Sequence, residues 1–381
     1  MESKLILDRS DFDLLFLAFQ TNGYEVIGPS VVDNTVVYTS LNSPKDLPAG
    51  WTDEQNGGTY RLKRRNDEAL FGYSVAPQSW KKFLFPPALC LWKSHQTEKG
   101  LQFSFPQEPP RKMAFLGVRA CELKAIAIQD GIFMHGSYGD PSYSLLRGGT
   151  LIVAVQCCMT GGTCFCTSMG TGPRVTQGFD LSLTEILEPG RHYFLIEAGT
   201  ESGARILQQV PHRPASADEI EKSELLLAGT ESSMGRVLDT TDIKGLLYRN
   251  YEHPRWNEVS RRCLTCTNCT IVCPTCFCAS VEDRTDLTGQ NAERLRRWDS
   301  CFTMDHSYIH GGCVRSSGIS RYRQWMTHKL ATWIDQFGSS GCVGCGRCIT
   351  WCPVAIDITD EAAAIRSSGD VGRSLFGKRG E

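Results

Sequence analysis

The chain has 381 residues, of which 41% are hydrophobic and 22% are charged, and its formal net charge is −2. A charge so close to zero, without a long basic run, argues against nucleic acid as the main partner. The N-terminus lacks a signal-peptide pattern, and no apolar run approaches the roughly 20 residues that a membrane-spanning helix needs. We therefore expect a cytoplasmic protein without a membrane partner.

Hydrophobic patterning in the first 240 residues predicts a mixed α/β arrangement. Helices are predicted over 10–23, 121–129 and 217–227. Strands are predicted over 35–38, 113–118, 151–155 and 192–196. The pattern becomes helical from about 240 to 260, as a connector into a part of the chain that is rich in cysteine.

Cysteine is the unusual residue, with 18 in the chain. In a reducing compartment thiols stay free, and clustered cysteines then indicate metal ligands. Two segments, 263–274 and 342–353, fit the pattern C-x2-C-x2-C-x3-C-P, which is typical of bacterial ferredoxins with two [4Fe–4S] clusters. We call them the first and the second cysteine segment.

The spacing divides these eight cysteines between two clusters. Three thiolates two residues apart curl around one cluster, and the fourth cysteine of each run ligates the other cluster. One cluster is therefore predicted on Cys263, Cys266, Cys269 and Cys352. The other is predicted on Cys342, Cys345, Cys348 and Cys273. Structural zinc sites are the alternative, but zinc ligands usually come as two separated cysteine pairs.

The fold class follows from these patterns. We predict an α/β domain over residues 1–240, followed over residues 241–381 by an α-helical dicluster ferredoxin-like domain with an inserted helical segment. The insertion lies between the two cysteine segments, and its part 321–337 has apolar residues at helical spacing. Its polar side is predicted to carry Arg321, Arg323, His328 and Lys329. Residues 370–381 are expected to form a solvated tail.

The N-terminal domain has its own group of cysteines, Cys121, Cys157, Cys158, Cys164 and Cys166. Cys121 follows a predicted strand at the start of a helix, where the helix dipole favours a thiolate. Several glycines nearby allow the backbone to approach a cluster closely. The pattern predicts a third cluster on Cys121, Cys164, Cys166 and either Cys157 or Cys158. Core thiols and a zinc site are the alternatives.

The remaining cysteines belong to no ligand run. Cys276, Cys278 and Cys301 are either buried thiols or residues with a role in ligation or redox chemistry. The chain also lacks a G-x-G-x-x-G fingerprint, a Walker A sequence and a visible catalytic triad. These features favour an electron-relay subunit inside a larger enzyme, with no catalytic residues of its own.

Several motifs together resemble a known family. They are CLTCTNCTIVCPTCFC at 263–278, RRWDSCF at 296–302, RYRQWMTHKLATW at 321–333, GCVGCGRCITWCPVAIDIT at 341–359, GVRACELKAI at 117–126 and TCFCTSMGTGP at 163–173. In these motifs the chain resembles the β subunit of cytoplasmic, NAD(P)-linked sulfhydrogenases, which are [NiFe] hydrogenases that also reduce sulfur. The A subunit of anaerobic sulfite reductase is similar.

The resemblance implies a hetero-oligomer in which a flavin subunit exchanges hydride with NAD(P)H. This chain would relay electrons between that subunit and the small [NiFe] hydrogenase subunit, while the large subunit carries nickel. The resemblance also favours Cys157 over Cys158 in the third cluster. Two alternatives stay open, the A subunit of a sulfite reductase and a self-contained disulfide or sulfur reductase that uses the N-terminal cysteine site.

Overall fold

The computed structural model describes residues 4–106 and 111–369. The strands of these residues are β1 (Leu5–Asp8), β2 (Glu25–Val32), β3 (Thr35–Ser40), β4 (Trp51–Asn56), β5 (Thr59–Arg64), β6 (Ala88–Thr97), β7 (Gly100–Ser104), β8 (Met113–Val118), β9 (Thr150–Val155), β10 (Leu181–Glu188), β11 (Arg191–Ala198), β12 (Arg213–Pro214), β13 (Ala279–Thr285), β14 (Asn291–Trp298), β15 (Tyr308–Ile309) and β16 (Gly312–Cys313).

The α-helices of the same residues are α1 (Phe12–Thr21), α2 (Lys81–Leu84), α3 (Ala120–Phe133), α4 (Pro141–Gly148), α5 (Glu201–Leu207), α6 (Ala217–Ser232), α7 (Ile243–Arg249), α8 (Arg255–Arg262), α9 (Asn268–Ile271), α10 (Gly318–Thr327), α11 (Trp333–Phe337), α12 (Arg347–Thr350) and α13 (Ile358–Ser367). A π-helical turn, His328–Thr332, joins α10 to α11. The predicted N-terminal helices and strands are confirmed, and the connector contains α7 and α8.

An eight-stranded sheet in the order β12-β1-β11-β10-β9-β8-β2-β3 organises the N-terminal part. Its adjacent strands β10, β9, β8 and β2 are parallel, and its other pairs are antiparallel. Strands β8 and β9 are buried along their whole length, as expected for parallel strands covered on both faces. Because the carboxyl ends of parallel strands meet at one edge, the residues that follow β8 and β9 come together there.

A second sheet, β13-β14-β6-β7, joins distant parts of the chain. Strand β14 pairs antiparallel with β6, with a bulge between Arg294 and Leu295. Residues from both sides of the predicted domain boundary thus share a sheet, and the boundary near residue 240 stays a prediction. The predicted tail at 370–381 lies outside the described residues.

The insertion between the cysteine segments begins with the β13–β14 hairpin and continues into the predicted helical part. Its apolar side chains Tyr322, Trp325, Met326, Leu330 and Trp333 are buried, whereas Phe337 at its end is 43% exposed. The predicted polar side is only partly correct, because Lys329 is 4% exposed. A buried lysine needs a hydrogen-bond partner or a counter-charge, and for Lys329 the partner is the Cys273 sulfur.

Candidate iron–sulfur centres

The first predicted ligand group, Cys263, Cys266, Cys269 and Cys352, lines a single pocket. Helix α8 ends where Cys263 begins the first segment, and the short helix α9 carries Cys269. Aromatic side chains of the insertion, Tyr322 and Trp325, form the inner wall. Burial raises the pKa of the Cys269 thiol well above its ordinary value, and neighbouring thiols, first Cys263 and then Cys352, add to the rise.

The second group is Cys342, Cys345, Cys348 and Cys273. Burial raises the pKa of Cys342 to about 12, and burial also raises the pKa of Cys345 and Cys348. The Cys273 sulfur contributes to the rise at each of these three thiols, which places it in their neighbourhood. The structure therefore brings the fourth cysteine of the first segment to the first three cysteines of the second.

Matching backbone contacts hold both segments around their sulfurs. The Thr265 amide donates to Cys263 Sγ at 3.4 Å, and the Gly344 amide donates to Cys342 Sγ at 3.4 Å. The Ile356 amide donates to Cys352 Sγ at 3.3 Å. Hydrogen bonds of this kind to cluster sulfurs tune the reduction potential of a cluster.

Lys329 supplies positive charge to the second group. Its ammonium donates to Cys273 Sγ at 3.1 Å and to Thr275 Oγ1 at 3.2 Å. Among the described residues no carboxylate pairs with it, so thiolate is its counter-charge. The hydrogen bond from Cys276 and the Lys329 charge hold the pKa of Cys273 well below its ordinary value.

The third group lies at the carboxyl edge of β8 and β9. Cys121 is in the first turn of α3, directly after β8, and Cys157 follows β9. The loop that follows carries Cys164 and Cys166. Burial raises the pKa of Cys164 to about 12, with Cys157 and Cys345 adding to the rise. Cys166 contributes, after burial, to the raised pKa of Cys121.

Cys158 is separated from this group. Its Sγ is directed to the Glu185 carbonyl at 3.9 Å, and it lines a different pocket, beside α6. Cys157, by contrast, appears among the charges that raise the pKa of Cys121, Cys164 and Cys166. Of the two adjacent cysteines, Cys157 is thus the one near the other members of the third group.

The third group is in direct contact with the second cysteine segment. The Phe165 amide donates to the Gly344 carbonyl at 2.8 Å, and Thr171 Oγ1 donates to the Val343 carbonyl at 2.6 Å. Gly344 has φ +65°, and a Cβ there would lie 2.6 Å from the Phe165 carbonyl oxygen. Only glycine allows this approach of the two loops.

These donor groups fit iron–sulfur clusters. Four thiolates around a buried cluster need positive charge or hydrogen bonds nearby, and buried Lys329, Arg347 and Arg119 lie beside Cys273, Cys345 and Cys157 respectively. In the described part of the chain, no three His, Cys, Asp or Glu side chains converge on a point that would hold a single metal ion. A [4Fe–4S] cluster needs no such point, because each thiolate binds a different iron.

Comparison with known proteins agrees with this chemistry. Residues 262–356 match the family model of a 4Fe–4S dicluster domain, so this part of the chain holds two clusters. The chain is an iron–sulfur protein with an electron-transfer role. It is similar to Sulfhydrogenase 2 subunit beta of Pyrococcus furiosus, with 28% identity over 322 residues, which cover 83% of this chain and 92% of the relative. The resemblance to sulfhydrogenase β subunits is thus confirmed.

No solved structure matches the chain. None of the helices within 4–106 and 111–369 is long and apolar enough to cross a membrane.

Sequence reasoning missed the charged side chains that surround the sulfurs. Lys329 was placed on a polar helix face, and Arg119, Glu122 and Arg347 were given no role, although all four are buried. The sequence could have predicted a role for Arg347, because this residue stands between the predicted ligands Cys345 and Cys348 and must therefore lie close to their cluster. For Lys329 the sequence indicated burial only through the neighbouring apolar residues Met326 and Leu330, one helical turn before it and directly after it.

Proposed function

We propose that this chain carries three [4Fe–4S] clusters and relays electrons through them. The ligands are Cys263, Cys266, Cys269 and Cys352 for the first cluster, Cys342, Cys345, Cys348 and Cys273 for the second, and Cys121, Cys157, Cys164 and Cys166 for the third. When bound, the clusters supply reversible one-electron chemistry. The protein holds the ligands, supplies counter-charge and excludes water.

The observation that carries this proposal is the continuity of the three groups. The loop of Cys164 and Cys166 is hydrogen-bonded to the second cysteine segment, from the Phe165 amide to the Gly344 carbonyl and from Thr171 Oγ1 to the Val343 carbonyl. Cys348 of the second group lines the same pocket as the four cysteines of the first group. Electrons therefore have a path along neighbouring groups from the third to the first.

The first group offers the exit of this path. Cys266 is exposed and Leu264 beside it is 61% exposed, whereas Cys121, Cys164, Cys166 and Cys345 are buried. An exposed ligand loop with an apolar residue suits docking of a partner subunit that takes or gives electrons. This supports a relay over a self-contained reductase, because substrate chemistry at the third group would need an open site there.

The partners are inferred from the similarity to the sulfhydrogenase β subunit. The chain would work in a hetero-oligomer of a cytoplasmic [NiFe] hydrogenase, between a flavin subunit that binds NAD(P)H and the small hydrogenase subunit. The nickel would lie on the large subunit. The A subunit of an anaerobic sulfite reductase is the second candidate, because its motifs are similar to those of this chain.

Isolation of the native complex separates these assignments. The hydrogenase assignment predicts nickel, flavin and NAD(P)H-dependent reduction of viologen dye by the complex, and siroheme would favour the sulfite reductase instead. The isolated chain should pass electrons between dyes, and its third cysteine group should reduce neither a disulfide nor sulfur. Reduction of a disulfide or of sulfur by the isolated chain that is lost in Cys164→Ser, while both ferredoxin clusters stay intact, would contradict the relay.

A further inference from the structure

A pair of thiols lies beside the first cysteine segment but outside the three ligand groups. Cys278 precedes β13 and Cys301 comes shortly after β14. Since Ala279 pairs with Trp298 in this hairpin, its open end brings the two cysteines together. The Asp299 amide donates to the Cys278 carbonyl at 2.9 Å. The two thiols lie close enough to shift each other's pKa, and both side chains are half-buried.

An imidazole and a carboxylate complete the arrangement. His306 lies near enough to Cys278 to lower the pKa of its thiol, and its Nδ1 lies 3.2 Å from Asp299 Oδ2. The other carboxylate oxygen of Asp299 accepts from the Ser300 amide at 2.7 Å and from Thr303 Oγ1 at 2.8 Å. The carboxylate is therefore fixed, and it orients the imidazole toward the sulfur.

This environment makes the two sulfurs unequal. The hydrogen bond from Cys301, followed by that from His306, lowers the pKa of Cys278 to about 4. The hydrogen bond to Cys278 and burial raise the pKa of Cys301. A thiolate beside a protonated thiol is the arrangement in which one sulfur attacks a disulfide and the other resolves the product.

We infer that Cys278 and Cys301 form a redox-active dithiol that reacts with an external disulfide. The Cys278 thiolate attacks one sulfur of the disulfide, a mixed disulfide forms, and the first thiolate leaves. Cys301 then loses its proton and attacks the Cys278 sulfur, and the second thiolate leaves. The external disulfide thus gains two electrons from the pair and the one proton that Cys301 gives up, its other thiolate takes any further proton from water, and the pair becomes a Cys278–Cys301 disulfide.

The return to the pair of one thiolate and one thiol needs two electrons and one proton. This part of the inference rests on the proposed function, because the electrons would be those that the relay carries. The pair is suitably placed, since Cys269 contributes to the raised pKa of Cys301 and Thr270 Oγ1 donates to Ser300 Oγ at 2.8 Å. The pair would store two electrons beside centres that pass one at a time.

Thiol mapping of the full chain with its clusters tests the inference. The anaerobic chain is treated with oxidised glutathione, quenched in acid, alkylated and digested, and its peptides are weighed. We expect a peptide pair linked by Cys278–Cys301 that disappears on reduction. In Cys301→Ser we expect a mixed disulfide trapped on Cys278, and in Cys278→Ser at least a tenfold slower reaction at Cys301. Cys90→Ser, which changes a cysteine of strand β6, should behave as the wild type.

Iron content distinguishes this inference from the relay itself. The variants Cys278→Ser and Cys301→Ser should keep the iron per chain of the wild type. A loss of about four irons in either variant would mean that these cysteines are cluster ligands, and the dithiol would be wrong. A wild-type chain with full iron content but without a 278–301 link would also overturn it, and this result needs no variant to fold.

Discussion

Arg347 of the second cysteine segment forms a buried ion pair with Glu122 at the start of α3. The two side chains are 0% and 1% exposed. Arg347 Nε also donates to the Ala76 carbonyl at 2.6 Å, and Glu122 accepts from Tyr38 Oη and Trp80 Nε1. One carboxylate therefore joins the main sheet, the helix of Cys121 and the second cysteine segment.

Removing one partner of this pair should destabilise the chain strongly. Arg347→Met leaves the Glu122 carboxylate buried without its counter-charge, at a cost of about 3–5 kcal/mol in the free energy of unfolding. The double variant Arg347→Met/Glu122→Gln should recover part of that loss. Denaturant unfolding of the wild type, of both single variants and of the double variant gives the coupling. Equal losses in the single and the double variant would show that the pair does not interact as described.

The contact between the third group and the second segment should be intolerant of a single methyl group. In Gly344→Ala the new Cβ meets the Phe165 backbone, so we expect loss of iron from both groups. Gly289→Ala is a matched control, because Gly289 has φ +71° and open space around its Cβ position. Both variants carry the backbone strain of about 1–3 kcal/mol. Equal iron contents in the two variants would contradict the contact.

The Lys329 ammonium should raise the reduction potential of the second cluster. A positive charge beside Cys273 favours the added electron, so Lys329→Met should make that cluster harder to reduce, by on the order of 100 mV. Potentiometric titration followed by EPR measures the shift. Lys124→Met, at an exposed lysine of α3, should leave the potential unchanged. A potential that does not move in Lys329→Met would remove this lysine from the electrostatics of the site.

Acid should weaken the packing of α6 through Glu219. The hydrogen bonds from Arg213, the Ser216 amide and Arg191 hold the pKa of Glu219 well below its ordinary value. A folded-state pKa below the unfolded one gives stability that is complete above the ordinary Glu range and is lost as the pH falls through the folded pKa. Glu219→Gln should thus lower the free energy of unfolding at neutral pH and flatten its decline in acid. Glu221→Gln, exposed on the same helix, should retain the wild-type pH profile.

The sequence predicted the parts of the site that depend on short spacing. The runs from Cys263 and Cys342 identify a dicluster domain because ligand spacing within a loop is fixed by the cluster. The strands β8 and β9 were predicted from their apolar runs. Because these strands are parallel neighbours, Cys121 and Cys157, which follow them, lie at the same edge of the sheet. Even so, the choice between Cys157 and Cys158 needed the structure, since adjacent side chains leave a loop in different directions.

The sequence pattern could not predict which strands pair when they are far apart in the chain. Nothing in β14 indicates that it pairs with β6, about two hundred residues earlier. The prediction that Lys329 lies on the polar face of its helix failed for a related reason. A helical pattern cannot show that the Cys273 sulfur lies on the buried side of the helix and accepts a hydrogen bond from this lysine. The Cys278–Cys301 pair likewise depends on the register of a hairpin that was not predicted.

Iron and sulfide per chain test the three-cluster relay most directly. The account predicts about twelve irons in the anaerobically prepared wild type, a loss of about four in Cys157→Ser and no loss in Cys158→Ser. About eight irons in the wild type, unchanged by Cys157→Ser, would contradict the third cluster and break the path at the second cysteine segment.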